Sequence, residues 1–171
     1  MGIKQNQSMK KILFFFVVLA GSYTMTAQGF GGAISGGYLS EIDGFGGTVD
    51  LIYNIDEKWS VATDATYSVA DSGPTRNKWF IVDLNAQYKV YAGAYVLGGG
   101  EYLSATIKSG GLGAGSIGPE IETTTNEFGF NAGAGYRYKI VDNVNVFTEV
   151  KYVVIDPTGY FHARLGLHFD F

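Results

Sequence analysis

Hydrophobic and polar residues alternate along most of the chain beyond about residue 28. The pattern is clearest over residues 160–171, where one parity is wholly apolar: Phe161, Ala163, Leu165, Leu167, Phe169 and Phe171. The intervening positions include His162, Arg164 and Asp170 and are mostly polar or charged. Because successive side chains of a strand point to opposite faces, this stretch is predicted to be a strand with one apolar face.

Seven further stretches alternate in the same way, at residues 30–38, 45–55, 59–69, 80–90, 94–105, 128–139 and 145–154. Turn signals separate them, among them Asp43-Gly44, Gly73-Pro74 within a loop at 71–77, and Asp142-Asn143. A glycine-rich loop at 108–122 and a four-residue loop at 156–159 complete the connections. Connections after strands two, four and six are predicted to be short, and those after one, three and five longer. The chain is therefore predicted to be all-β, an eight-stranded antiparallel up-and-down barrel.

Strand five has an ambiguous register because several of its positions are glycine. We favour the register in which Val96, Gly98, Gly100 and Tyr102 share the apolar face. This choice places Glu101 on the polar face with the other charged residues.

Two environments fit the apolar face. In a soluble barrel of the lipocalin kind it would form the core, whereas in a transmembrane barrel it would contact lipid. The apolar set carries no charged residue, and its aromatic residues, such as Trp59, Phe80 and Tyr152, lie mainly near strand ends. Two interfacial girdles of aromatic residues would produce this distribution. We therefore favour a transmembrane barrel.

The first 27 residues have the pattern of a cleaved secretory signal peptide. Lys4, Lys10 and Lys11 precede an unbroken apolar run at residues 12–20, which is too short to span a bilayer. Small and polar residues follow, and we place the cleavage after Ala27. Residues 28–171 would then form a single barrel domain.

Charge and composition exclude several classes of partner and cofactor. The formal net charge of −4 becomes −7 without residues 1–27, which contain three lysines and no acidic residue. Such a chain lacks the basic face that nucleic acids require. The absence of cysteine excludes disulfides and thiolate metal sites. We therefore expect no nucleic acid partner, no metal ion and no cofactor.

The closing strand with its terminal Phe171 resembles that of small bacterial outer-membrane barrels of the OmpA and OmpX type. The resemblance covers residues 28–171 and implies a location in the outer membrane of a Gram-negative bacterium, in contact with lipid. It also implies that the barrel-assembly machinery recognises the last strand through Phe161, Leu165, Leu167, Phe169 and Phe171. We expect a monomer without the peptidoglycan-binding domain that OmpA-type proteins carry after their barrel.

The charged residues of the polar face are predicted to fill the barrel interior, since eight strands leave room only for side chains. The set comprises Asp50, Asp64, Asp83, Glu101, Arg137, Lys139, Glu149, Lys151 and Arg164. One hypothesis is a network of ion pairs across the interior, with acidic residues of strands two to four facing basic residues of strands six to eight. The alternative is pairing between adjacent strands, for example Glu149 with Arg137 or Arg164.

The sequence gives little evidence for an enzyme. His162 and His168 are six residues apart, about 20 Å along a strand, and cannot share a metal ion. The His-x-Ser pair that similar-sized lipid A deacylases use is missing. We expect a non-enzymatic barrel that supports envelope integrity or binds partners through external loops. The alternatives are a small enzyme acting on lipid A or a peptide, with His162 and Asp156 near the outer rim, and a low-conductance pore.

Overall fold

The structure is a computed structural model that describes residues 29–72, 75–109 and 121–171. These residues form eight strands: β1 (Phe30–Leu39), β2 (Gly44–Asn54), β3 (Trp59–Ser72), β4 (Thr75–Tyr91), β5 (Ala94–Ser109), β6 (Ile121–Val141), β7 (Val144–Ile155) and β8 (Thr158–Asp170). Each strand pairs antiparallel with its neighbour in sequence, and β1 pairs with β8 to close a barrel. The predicted signal peptide, residues 1–27, lies outside the described residues. In the described part of the chain, no helix is long and apolar enough to cross a membrane.

The alternation predicts the two faces of the barrel wall correctly. Phe45 and Phe128 on the apolar set are 75% and 81% exposed, whereas Asp83 on the polar set is fully buried. The favoured register of strand five is confirmed, because Glu101 is 2% exposed and Val96 is 44% exposed. The barrel is thus apolar outside and polar over much of its interior.

The strand β1 closes the barrel with an inner face that carries only glycine, alanine and serine from Gly31 to Gly37. A Cβ atom added to Gly31 would lie 2.7 Å from the His168 Nε2 atom, and one added to Gly37 would lie 2.8 Å from the His162 Nε2 atom. The imidazole rings of β8 therefore occupy the space that these glycines leave. Small residues on β1 let the two end strands pair and still accommodate large polar side chains on β8.

Strands β3 and β4 extend further than the alternation predicted. The predicted loop at 71–77 is wrong, because Ser72 pairs with Thr75 and only residues 73 and 74 lie between the strands. The side chains of Asp71 and Arg76 form an ion pair of 2.6 Å across this hairpin. The alternation of apolar residues ends before the hairpin does, so the sequence prediction made both strands too short.

Strands β5 and β6 are likewise longer than predicted. Lys108 pairs with Glu122 in register, and their side chains form an ion pair of 2.7 Å. The hydroxyls of Thr106 and Thr124 are 3.0 Å apart in the same hairpin. These polar and β-branched residues continue the strands without an apolar face. The central part of the predicted glycine-rich loop, residues 110–120, lies outside the described residues.

The predicted contrast between short and long connections is wrong for the described turns. The β1–β2 and β2–β3 connections both contain four residues, at 40–43 and 55–58. The predicted loop at 156–159 shortens to Asp156 and Pro157, because β8 begins at Thr158. The two ends of the barrel differ instead in strand length, since β3, β4, β5 and β6 project beyond the wall at one end only.

Aromatic rings pair directly across neighbouring strands on the outer face. Phe30 contacts Tyr53 and Trp59 contacts Tyr88, with tilted rings, near the end that carries the β2–β3 turn, at centroid distances of 5.0 and 4.8 Å. Similar pairs, Tyr38–Phe45, Tyr102–Phe128 and Tyr152–Phe161, lie towards the opposite end. The aromatic residues therefore form two bands separated by aliphatic residues such as Leu51.

Candidate functional site

Acidic side chains form a row along four neighbouring strands inside the barrel. Asp50 is paired in register with Asp64, Asp64 with Asp83, and Asp83 with Glu101. Like charges at directly opposed positions repel each other, and burial away from water strengthens the repulsion. Cations facing the row would offset this repulsion.

Two buried cations on β7 and β8 face this row. The Lys151 Nζ atom donates a hydrogen bond to the Asp83 carboxylate and lies 3.8 Å from the Glu101 Oε2 atom. The Arg164 Nη1 atom is 2.7 Å from the Asp50 Oδ1 atom, and its Nη2 atom is 3.8 Å from the Asp64 Oδ2 atom. Each cation therefore contacts two carboxylates of the acidic row.

Arg164 also joins the row to β7. Its Nε atom donates a hydrogen bond of 2.8 Å to Glu149, its register neighbour. The structure thus contains ion pairs across the barrel interior and an ion pair between adjacent strands. We call Asp50, Asp64, Asp83, Glu101, Glu149, Lys151 and Arg164 the charge cluster. It contains five carboxyl groups and two cations, all with side chains at most 2% exposed.

Two predicted members lie elsewhere. Lys139 is not part of the charge cluster, because its side chain is 63% exposed and pairs at 3.1 Å with Asp142 in the β6–β7 turn. Arg137 bonds to the Gln87 Oε1 atom and lies over the Tyr95 ring, without a carboxylate partner among the described residues. Both residues have the predicted inward parity. Both lie near the end of β6, so the Lys139 side chain reaches the mouth of the barrel and the Arg137 side chain lies between the mouth and the charge cluster.

An apolar layer, which the sequence analysis missed, closes the interior on the side of the projecting strands. It consists of Leu39, Ile42, Ala70, Trp79, Ile81, Leu103, Val153, Ile155 and Tyr160. The Tyr160 hydroxyl donates a hydrogen bond to Glu101 and so joins this layer to the charge cluster. The sequence signal is a local loss of alternation, since residues 79–82 and 152–155 are apolar or aromatic on both faces.

Residues considered for catalysis are not assembled into a reactive site. His162 is 1% exposed and has no hydrogen-bond partner on either ring nitrogen, whereas Asp156 is exposed in the β7–β8 turn. His168 lies 3.7 Å from Asp170 and 3.3 Å from Asn145. Among the described residues, no group of three or more His, Cys, Asp or Glu side chains could hold a metal ion.

The end of the barrel that carries the β2–β3, β4–β5 and β6–β7 turns opens into a cavity of about 560 Å³, which we call the vestibule. Cationic side chains of Lys58, Lys89, Arg137 and Lys139 line it together with acidic and amide side chains. Gln87, Tyr95, Arg137 and His168 separate it from a void of about 10 Å³ next to the charge cluster. That void is about the size of one water molecule.

The opposite end carries a sheet that projects from the barrel. Register pairing of β6 with β7 begins at Phe130 and Val154, so residues 121–128 of β6 have β5 on one side and no paired strand on the other among the described residues. At roughly 3.4 Å per residue this free edge is about 25 Å long. Near it, the Lys108 ammonium lowers the pKa of Glu122 below the usual value of a glutamate.

The chain superposes on solved structures of small outer-membrane barrels. A major outer membrane protein from Thermus thermophilus superposes with a TM-score of 0.70 and 11% identity, covering 83% of this chain and 99% of that one. Neisserial surface protein A gives 0.57 and 16%, covering 84% and 98%. Ail, the attachment invasion locus protein of Yersinia pestis, gives 0.57 and 13%, covering 84% and 97%.

These likenesses confirm the predicted fold class, that of small eight-stranded outer-membrane β-barrels. They also confirm the resemblance to barrels of the OmpA and OmpX type that the closing strand indicated. No protein-family model and no curated protein matches the sequence.

Proposed function

We propose that this protein is a non-enzymatic integral outer-membrane barrel that binds extended segments of partner proteins along the free edge of β6. Support for the membrane location comes from the apolar set on the outer wall, of which Phe45, Phe128 and Phe130 are 75%, 81% and 78% exposed. Exposing such a wall to water would be costly, whereas lipid tails solvate it.

The orientation follows from the two ends of the barrel. Outer-membrane barrels have short turns on the periplasmic side and longer extensions outside. The vestibule end, with short turns, would then face the periplasm. The projecting strands β3 to β6 would lie outside the cell, where the free edge of β6 is accessible to other proteins.

The observation that carries the binding function is the edge at residues 121–128, which has no paired strand on its β7 side among the described residues. An exposed edge presents backbone N–H and C=O groups that another extended chain can use to add a strand. Five successive residues, from Glu122 to Asn126, are exposed there. Ail, which shares the fold, is described as an attachment invasion locus protein, and this description agrees with a surface-binding role.

Hydrogen exchange tests the free edge. In the folded barrel, alternate amides of residues 122–128 should exchange fast, because they point away from β5, while the intervening amides should be protected. Uniform protection of all these amides would show that the edge is already covered.

Peptide binding tests the function. The barrel in uncharged detergent is applied to an array of extended peptides, each synthesised with and without backbone N-methylation at alternate residues. Arg137, paired with Gly93, donates its N–H to β5, so in the same register the N–H groups of Thr124 and Asn126 point away from β5. Binding should be lost on N-methylation and in either Thr124→Pro or Asn126→Pro, whereas Thr48→Ser inside the barrel should leave it unchanged. Binding that survives both N-methylation and the proline substitutions would overturn the proposal.

Assembly and location are tested in cells. The full chain should fractionate with the outer membrane and resist extraction with urea. Replacement of Phe171 by Ala should lower the amount of assembled barrel if the assembly machinery recognises the predicted signal. A folded protein that remains in the soluble periplasmic fraction would contradict the membrane location.

A further inference from the structure

The vestibule gathers cations from each of the three short turns. Lys58 lies in the β2–β3 turn, Lys89 near the end of β4, and Lys139 near the end of β6. Arg137 lies deepest and is one of the side chains that separate the vestibule from the charge cluster. The arrangement is a ring of ammonium groups above a guanidinium group.

Arg137 is held in place without being neutralised. Its Nη2 atom donates a hydrogen bond to Gln87, and its guanidinium carbon lies 4.6 Å from the centroid of the Tyr95 ring. The Tyr95 hydroxyl is fixed in turn by a hydrogen bond of 2.8 Å to Glu149. A guanidinium has five N–H donors, so this geometry leaves donors available to a ligand.

Most carboxylates near the vestibule already accept hydrogen bonds or form an ion pair within the protein. The Asp56 carboxylate accepts two hydrogen bonds of 2.7 Å from the backbone N–H groups of Lys58 and Trp59. Asp170 accepts one of 2.8 Å from Asn145, and Asp142 pairs with Lys139. Arg137 and Lys89 have no carboxylate partner among the described residues, so these two cations are available to an anionic ligand.

We propose that the vestibule is a binding site for a phosphate group, held by Arg137 at its base and by Lys58 and Lys89 at its rim. A guanidinium fork matches two phosphate oxygens at once, and ammonium groups add charge without a strict geometry. A cavity of about 560 Å³ has room for more than the phosphate itself. The phosphate group could belong to a dissolved phosphate compound or to a lipid headgroup from the adjacent leaflet.

The test uses the folded full barrel in maltoside micelles, which contain no phosphate, with amide chemical shifts as the readout. One titration adds inorganic phosphate and the other adds dihexanoyl phosphatidylglycerol. Shifts are expected at the amides of Gln87, Gly93 and Arg137. A response to inorganic phosphate alone identifies a dissolved ligand, and a response to the lipid alone identifies a headgroup.

Matched variants decide whether the vestibule is responsible. Arg137→Gln should raise the dissociation constant at least about tenfold, and Arg76→Gln at the opposite end should leave it unchanged. Lys89→Gln should raise it about threefold, and Lys78→Gln on the same strand β4 should not. Arg137→Lys should restore part of the affinity. No saturable shift with either ligand, equal shifts with sodium chloride at matched ionic strength, or unchanged affinity in Arg137→Gln would overturn the proposal.

Discussion

At the scale of single residues, Lys151 has the largest predicted effect on stability. It is 1% exposed and is the cation that contacts both Asp83 and Glu101. Lys151→Met fills the same volume but leaves these carboxylates without their cation. Removing one partner of a buried ion pair costs about 3–5 kcal/mol. We expect the free energy of unfolding, measured by urea titration in lipid vesicles, to fall by about that amount.

The matched control for this variant is Lys89→Met at the barrel mouth, which should change the free energy of unfolding by less than about 0.5 kcal/mol. The double variant Lys151→Met with Asp83→Leu should recover part of the lost free energy of unfolding, because it removes one buried carboxylate together with the cation. Equal stabilities of Lys151→Met and the native protein would show that the charge cluster does not depend on this lysine.

Gly37 gives a second prediction at this scale, through the packing of β8 against β1. A Cβ atom there would lie 2.8 Å from the His162 Nε2 atom and 2.9 Å from the Ala163 carbonyl oxygen. Gly37→Ala should therefore lower the free energy of unfolding by about 1–3 kcal/mol through overpacking. Gly47 faces outward, and a Cβ there meets nothing within 4 Å. Gly47→Ala should be neutral or slightly stabilising, and equal losses in both variants would contradict this account.

Sequence reasoning reached the inward parity of the charged residues and included the Glu149–Arg164 pair among its alternatives, but it did not assign a partner to each cation. A period of two residues requires only neighbouring positions, so the inward side of Lys139 and Lys151 was predictable. The Arg164–Asp50 contact joins residues 114 positions apart and depends on the bare inner face of β1. The exposed position of Lys139 depends on where β6 ends, and alternation carries little information about strand ends.

At the scale of elements, the β2–β3 turn is sensitive to pH through Asp56. Two backbone N–H groups, from Trp59 and Lys58, lower the pKa of the Asp56 carboxyl below its ordinary value of 3.8. Because the folded-state pKa is the lower one, the turn gains stability above pH 3.8 and loses it as the pH falls through the folded-state pKa. Asp56→Asn keeps an acceptor but removes the charge.

We therefore expect native protein and Asp56→Asn to differ most at neutral pH and to converge in acid. Hydrogen exchange of the Lys58 and Trp59 amides, measured from pH 7 downward, checks this expectation. Glu57→Gln in the same turn is the control, and it should exchange like the native protein at every pH. A difference between native protein and Asp56→Asn that grows as the pH falls would contradict the assigned direction.

Strand existence was predictable for every element, whereas the projecting sheet was not. Alternation of apolar and polar residues predicts a strand where one face of the strand contacts apolar surroundings. The alternation ends where β3 to β6 extend beyond the apolar part of the barrel wall. Residues 121–127 of β6 form a strand although they are mostly Thr, Glu and Asn, because β5 pairs with them along their whole length. The free edge, which carries the proposed function, therefore lies in the part of the chain that sequence patterning describes least well.

At the scale of the whole molecule, the interior is obstructed at three levels. From the vestibule inward these are the group of Gln87, Tyr95, Arg137 and His168, then the charge cluster, then the apolar layer. The void between the first two levels measures only about 10 Å³. A hydrated ion needs a continuous path that none of these levels leaves open, and each would have to rearrange for conduction.

We therefore expect the native barrel to give no steady conductance in planar bilayers at 1 M potassium chloride. Trp79→Ala should remain closed although it removes the largest side chain of the apolar layer, because the charge cluster still fills the section beneath it. Trp79→Ala combined with Lys151→Ala and Asp83→Ala removes side chains from both levels and should produce brief openings. Trp59→Ala on the outer wall is the control and should stay closed.

Folding of each variant is checked first by the change in electrophoretic mobility on heating. Steady openings of the native protein would mean that the interior side chains do not seal the barrel, and the pore alternative would then replace the closed one.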